Sequence, residues 1–359
     1  MKKIAFVNEF DLNRNNSAGI TVRDLFGEEL CEDSLQICLL GGEVVASKHS
    51  VILYKSKMNY RAIVDTIKII KNEKVDVIYT TGNSLKMLTY LFLIRINAKV
   101  PILFHYFDNW RESRHPVCTN VLLRLINGKH EQAFVISEEM KEHYQNRYDG
   151  NYSVLMVGSP NSVNNGTINS GNKGKFYFLY AGGFHLGRVN ALLEFEETLK
   201  DLNINGKLII ATFNKDYEEN VNKFDEDYTT FLVDIDHHQI ANCYAEANAL
   251  LFVEPAPINQ TLFLKYSMST KIPEYLSSGL PIICISRPGI ACYEYFKKNN
   301  CAYLATNRDE IETSIYYVTH SDEENKSKVS NALVAALRDF DREKQRDELF
   351  RVINQVCSK

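Results

Sequence analysis

The chain has 359 residues, of which 45% are hydrophobic and 24% charged, a balance that folds into cores and a length that suits two domains of ordinary size better than one. With 41 Lys and Arg against 45 Asp and Glu the formal charge is −4, so no basic field draws the chain onto nucleic acid. Eight cysteines, Cys31, Cys38, Cys118, Cys243, Cys284, Cys292, Cys301 and Cys357, lack a C-x-x-C pair and read as reduced core thiols. Met1-Lys2-Lys3 is followed only by the short apolar run Ile4 to Val7, which is no signal peptide and implies a cytoplasmic protein. The apolar stretch Leu85 to Ile96 is broken by Arg95 and then Lys99, short of the roughly 20 residues of a membrane span. Peripheral contact with a membrane stays open.

In chain order, β-branched and aromatic runs predict strands at 3–7, 35–40, 50–54, 75–80, 101–105, 132–137 and 152–157. Between them Ile63, Val64, Ile67 and Ile70 mark an amphipathic helix. Ser137 is the expected N-cap of a second, at 138–147. Residues 158–174 then collect Gly158, Pro160, Gly166, Gly171 and Gly174 among Asn and Ser, which places a linker at 161–174 between domains 1–160 and 175–340. Beyond it strands are expected at 176–181, 206–212, 229–233, 249–253, 281–285 and 301–305, with helices near 189–200, 237–247, 270–278 and 307–318. The last stretch, 322–357, is charged and helical by period. Alternating β and α elements predict two doubly wound parallel sheets, whose ligands sit beyond the carboxyl ends of the strands.

Four segments carry candidate chemistry. After the first strand, Asn15 to Thr21 forms a loop in which Gly19 brings backbone N–H groups close to a ligand, or a plain turn capped by Ser17. His105, Asp108, Trp110 and Arg111 follow the run Ile102-Leu103-Phe104 at its carboxyl end, a crevice position in a parallel sheet. Opening the second half, the run Phe178 to Ala181 leads into Gly182-Gly183-Phe184-His185-Leu186-Gly187-Arg188, a strand, a glycine turn and a basic residue. Lys265 to Ile283 reads as a loop, a helix start, a short helix, a stop at Gly279 and a strand after Pro281. In it Ser269 or Thr270 is the expected cap, Lys271 adds a full charge, and Glu274 shares the face of Thr270 and Lys271. Asp234-Ile235-Asp236 has metal-ligand spacing, yet it ends a strand where Asp236 serves as a helix cap, and adjacent His237 and His238 lack zinc spacing. No metal site is expected, and no hydrolase, P-loop or kinase motif occurs.

The run Ser-x-Lys-x-x-Glu-Tyr-Leu-x-x-Gly-x-Pro-Ile-Ile, from Ser269 to Ile283, resembles the donor-site signature of family 4 type retaining glycosyltransferases of bacterial polysaccharide assembly. The resemblance implies a GT-B fold, two Rossmann-like domains facing across a cleft, with the last helix, 341–357, crossing back onto the first domain. It implies that Lys271 binds the diphosphate of a nucleotide-sugar donor and Glu274 its ribose; Gly182, Gly183, Arg188, Ser269 and Thr270 are then further donor-side candidates, Lys271 and Arg188 the candidates for stabilising the leaving diphosphate, and Gly19, His105 and Asp108, with Trp110 and Arg111, the candidates for the sugar or acceptor side. It further implies a hexose-type sugar, retention of configuration, a saccharide or lipid-linked acceptor and no need for a metal or other cofactor. One position departs: where many members carry an earlier Glu, this chain has Tyr266, and Glu254 is too far upstream to take its place by simple alignment. A nucleotide-sugar epimerase of the same fold and a catalytically silent sugar-nucleotide binding or scaffold protein remain as alternatives.

Overall fold

A computed structural model of the chain describes residues 2–9, 12, 17–39, 50–52, 60–82, 84–107, 116–126, 132–148, 150–156, 174–235, 237–255 and 264–358. The chain divides into two compact units. The first comprises Met1–Gly158, Leu262–Thr270 and Phe340–Lys359, and the second Ser159–Thr261 and Lys271–Asp339.

In the first unit, β1 (Ile4–Asn8), β2 (Leu35–Cys38), β3 (Ser50–Ile52), β4 (Val77–Thr80), β5 (Ile102–Tyr106), β6 (Gln132–Val135) and β7 (Asn151–Val154) form one sheet. Its order is β3-β2-β1-β4-β5-β6-β7, and the pairs described are all parallel. Strands such as β1, β4 and β5 are buried at every position, which is why they read as unbroken apolar runs rather than alternating ones. The helices are α1 (Ser17–Phe26), α2 (Glu28–Asp33), α3 (Tyr60–Asn72), α4 (Leu85–Ala98), α5 (Pro116–Ile126) and α6 (Glu138–Arg147). Helix α6 starts as its sequence dictates, the Ser137 hydroxyl accepting from the Met140 amide at 3.0 Å. Helix α4 has no polar face to produce a period. It is set instead by its Ser84 cap, which accepts from Met87 N at 3.0 Å, and by a left-handed stop at Lys99.

The second unit holds β8 (Phe176–Ala181), β9 (Gly206–Thr212), β10 (Thr229–Val233), β11 (Ala249–Val253), β12 (Ile282–Ile285) and β13 (Tyr303–Ala305), again with parallel pairs, in the order β10-β9-β8-β11-β12-β13. Its helices are α7 (Arg188–Asp201), α8 (Asn214–Asn220), α9 (His237–Glu246), α10 (Ile272–Ser277), α11 (Ala291–Asn299), α12 (Arg308–His320) and α13 (Asp322–Asp339). Buried Glu196 of α7 accepts from Thr229 Oγ1 at 2.5 Å, fastening the helix to β10, and pairs with Lys200 of its own helix at 2.7 Å.

The charged stretch 322–357 is two helices, because the chain turns at Phe340 and Asp341, whose side chain caps α14 (Arg342–Cys357) by accepting from Lys344 N at 3.1 Å. Leu349, Val352 and Ile353 of α14 join the first unit's core beside Phe6, Phe26 and Tyr79. Arg346 Nε donates to Leu25 O at 3.2 Å. The segment 262–270 also returns to the first unit. There Ser137 Oγ donates to Tyr266 O at 2.7 Å, and the Tyr266 ring stacks on His143 with centroids 4.4 Å apart. Composition could not reveal this return, since the segment crosses without a glycine-rich linker. The proposed linker, 161–174, lies outside the described residues except for Gly174.

None of the eight cysteines is in a disulfide, but only Cys31, Cys38, Cys284, Cys292 and Cys301 are buried; Cys118 is exposed, and Cys243 and Cys357 are intermediate. Among the described residues no helix is long and apolar enough to cross a membrane.

Candidate functional site

In a doubly wound sheet the ligand crevice lies where the strand order reverses, beyond the carboxyl ends of the two strands concerned. In the second unit that point is between β8 and β11, since β9 and β10 run out to one side and β12 and β13 to the other. Strand β8 ends at Ala181, directly before the glycine turn, and β11 ends at Val253, directly before Glu254.

The turn 182–187 is built for close approach. Gly182 has φ 150° and donates its N–H to Ala211 O at 2.9 Å. A Cβ there would stand 1.9 Å from Lys271 Nζ and 2.8 Å from Lys271 Cε, so the absence of a side chain is what admits the lysine. A Cβ on Gly183 would meet His185 Nδ1 at 3.0 Å and Asp216 Oδ2 at 3.2 Å. Tyr180 OH donates to Gly183 O at 2.6 Å, and Asp216 accepts from Phe184 N at 3.0 Å. Leu186 (φ 65°) and Gly187 (φ 80°) then reverse the chain into α7. We expect Gly182→Ala to lower thermal stability and weaken binding of an anionic ligand at Lys271 about tenfold or more, because both the positive φ and the space of the ammonium group are violated. Titration of Gly182→Ala beside Gly182→Ala with Lys271→Ala checks this, the double variant showing no added loss.

Lys271 comes from the other side, at the N-cap of α10. It keeps part of its surface exposed, while its Nζ lies 5.0 Å from the centroid of the buried Tyr180 ring. Desolvation and the neighbouring Arg188 guanidinium pull its pKa down to about 7, against the opposing pull of Glu254 and Glu274. Glu274, one turn on, accepts from Tyr244 OH at 3.0 Å. The helix begins at Ile272, so its N-cap position is Lys271 rather than Ser269 or Thr270; Lys271 itself has helical backbone angles and its side chain makes no capping bond. Pro273, in the first turn, supplies no N–H of its own. With six residues and a proline in its first turn, α10 offers few free amides, so the positive charge here belongs to Lys271.

Arg188, expected as a free clamp on the diphosphate, is buried and tethered. Its Nε donates to Val253 O at 3.0 Å, Nη2 to Glu254 Oε1 at 3.0 Å and Nη1 to Gly183 O at 3.4 Å, while Nη1 stands 3.1 Å from His185 Nε2. It ties the turn after β8 to the end of β11 and sets its charge beside Lys271. Glu254, weighed in the sequence only against the missing acid, is the buried partner of this guanidinium. The signal that could have found it is an acidic residue directly after a fully apolar strand, at its carboxyl end. His185 also escaped the sequence reading; desolvation, Arg188 and Lys271 hold its pKa down.

The structure thus brings Gly182, Gly183, Arg188, Lys271 and Glu274 to one region of the second unit. The other candidates belong to the first unit or lie outside the described residues. His105 is 1% exposed inside the first unit's core. There Nδ1 accepts from Tyr79 OH at 2.6 Å, Nε2 donates to Leu155 O at 3.0 Å, and burial pushes the pKa down to about 3. With both ring nitrogens engaged it is a neutral core residue and is withdrawn from the sugar or acceptor side. Gly19 lies in the first turn of α1 and is buried, because the helix begins at Ser17 rather than after the glycine. Asp108, Trp110 and Arg111 lie outside the described residues. Asp234 accepts from Asn214 N at 2.9 Å, and Asp236 and the side chains of His237 and His238 are outside the described set.

No family model and no curated protein matches the chain by sequence. Solved structures match it over its full length. Sucrose-phosphate synthase from Thermosynechococcus elongatus is 12% identical with a TM-score of 0.76, each chain covered to 100%. Anabaena HepE in complex with UDP-glucose is 13% identical with a TM-score of 0.74, covering 99% of this chain and 100% of its own. A glycosyltransferase from Rickettsia africae is 12% identical with a TM-score of 0.72, covering 99% and 98%. At such identities the likeness speaks to fold, and with the two parallel sheets it establishes one: the chain has the GT-B fold of two Rossmann-like units that these glycosyltransferases share.

Proposed function

We propose that the protein is a glycosyltransferase that moves a hexose-type sugar from a nucleotide diphosphate sugar to a saccharide or lipid-linked acceptor, with retention, in bacterial glycan assembly. The observation that carries this reading is the meeting of Lys271 with the side-chain-free turn at Gly182, next to Arg188, at the switch point of the second unit. A site that holds a desolvated ammonium against bare backbone favours a compact anion, and a pyrophosphate is the anion that such crevices accommodate. The complexes of HepE with UDP-glucose and with UDP support a uridine nucleotide as the first donor to try. Glu274 supplies acceptor oxygens for ribose hydroxyls from the same face as Lys271.

As the sugar leaves, charge grows on the diphosphate, and Lys271, with Arg188 behind it, meets that charge without a divalent ion. The departing phosphate oxygen takes the proton of the acceptor hydroxyl as the new glycosidic bond forms on the same face. Melting the protein with UDP-, GDP- and other nucleotide sugars tests the donor, since a ligand at 100 times its dissociation constant adds about 2.7 kcal/mol of stability. Release of nucleotide on adding acceptors, in the presence of EDTA, with the anomeric configuration of the product read by NMR, tests the rest. Absence of stabilisation by every nucleotide sugar would overturn the reading. Conversion of the donor sugar without an acceptor would replace transfer by epimerisation.

A further inference from the structure

Among the described residues, five large apolar side chains of the first unit stand exposed: Tyr60, Ile96, Val117, Val121 and Leu125. Four of these belong to α4 and α5. Val117 (74% exposed), Val121 (54%) and Leu125 (51%) are spaced four apart and so form one row along α5, and Ile96 of α4 is 54% exposed. The two helices pack together. Arg95 donates to the carbonyls of Leu125 and Ile126, which brings Ile96 and Leu125 to the same end of the pair.

The charge of these helices is one-sided in a chain whose total is −4. Neither α4 nor α5 contains an acidic residue, whereas every other described helix of this unit does. Lys86, the α4 cap residue Lys99, and Arg124 are exposed.

We infer that the α4 and α5 face docks on an anionic lipid surface, Val117, Val121, Leu125 and Ile96 entering the boundary of the acyl region while Lys99 and Arg124 lie among phosphate groups. An apolar row on two helices whose own charged residues are all cations has the chemistry of an interfacial helix. A second copy of the same face would bring cation against cation, which disfavours a two-fold dimer through it. The inference stands apart from the transfer reaction, because it is scored without donor or acceptor.

The test is co-sedimentation of the full chain with phosphatidylcholine vesicles and with vesicles containing about a third phosphatidylglycerol. Binding is expected on the anionic vesicles and should weaken as salt is raised, since screening shortens the reach of the cations. Lys99→Gln with Arg124→Gln should lower it roughly 25-fold, the product of about 5-fold per lost cation. Val117→Ser, Val121→Ser and Leu125→Ser together should reduce it at least about tenfold with an unchanged melting temperature, because these side chains support no core. Failure to sediment with anionic vesicles overturns the inference, as does binding that ignores these substitutions. A wild-type dimer that the serine variant turns monomeric, with no lipid binding, overturns it in favour of self-association.

Discussion

Replacing Lys271 by alanine is expected to weaken donor nucleotide binding by about 10- to 100-fold, the span of a lost charge-assisted contact of roughly 1.5–3 kcal/mol, while leaving the ligand-free protein as stable as before or more so. The reason for the second half is that the ammonium group is a cost to the folded chain. It is desolvated and stands beside Arg188, and its pKa falls to about 7. The folded state therefore sheds a proton that the unfolded chain holds up to its ordinary value of 10.5. Between those two values the unfolded state carries more protons, so stability rises with pH across the window from about 7 to 10.5. Below that window the charged, desolvated lysine remains a constant burden, and Lys271→Ala removes both the burden and the slope.

Ligand affinity runs the other way. A pyrophosphate binds the protonated amine, so affinity is highest below pH 7 and falls up to tenfold per unit above it, with proton uptake on binding. Melting curves and titrations of wild type and variant from pH 6 to 9, roughly the span that brackets this pKa, check both halves. A variant that melts early and still binds nucleotide would make Lys271 a structural residue and remove the site.

Glu254→Ala is expected to destabilise the protein by about 3–5 kcal/mol, because it leaves the buried Arg188 guanidinium without its counter-charge. The side chains of Arg188 and Glu254 are 9% and 5% exposed and stand 3.0 Å apart. Solvent cannot replace the missing partner. For a unit of this size the loss corresponds to a melting point lower by very roughly 6–20 °C. Replacing both partners by apolar residues of similar shape, Arg188→Met with Glu254→Leu, should recover more than half of that loss, since no unpaired charge is then left inside. Donor binding should stay weak in the double variant, because the three hydrogen bonds by which Arg188 links Gly183 of the turn to Val253 and Glu254 are lost. Thermal denaturation of the four proteins of the cycle gives the coupling energy. A cost under about 1 kcal/mol for Glu254→Ala would mean that water reaches the pair.

Much of the frame was legible before any coordinates. The runs 176–181, 206–212, 229–233 and 249–253 are strands over those residues, and the last, buried at every position, is apolar throughout because both its faces are covered. Ser137 and Gly279 mark a helix start and a helix end by local chemistry alone, the first through its hydroxyl and the second through a left-handed φ of 75°. Helices α4 and α11 do not stand out in the sequence, because the few polar residues of the first share no single face and the second, rich in tyrosine and lysine, shows no clean period.

What the sequence decided by itself was local: where each backbone segment can bury its amides, and therefore two successions of parallel strands and helices, together with a lysine and a glutamate one turn apart. What tertiary structure decided was everything that depends on pairs distant in the chain. Gly182 and Lys271 lie far apart in sequence, and nothing in either segment says that a missing Cβ makes room for an ammonium group. Arg188 looked free until Glu254 and Val253 were placed against it, and His105 looked available until Tyr79 and Leu155 took both its nitrogens. A side chain's type sets what it can bond, but only the fold sets which bonds are already made, and that difference separates a residue able to meet a ligand from one that holds the protein together.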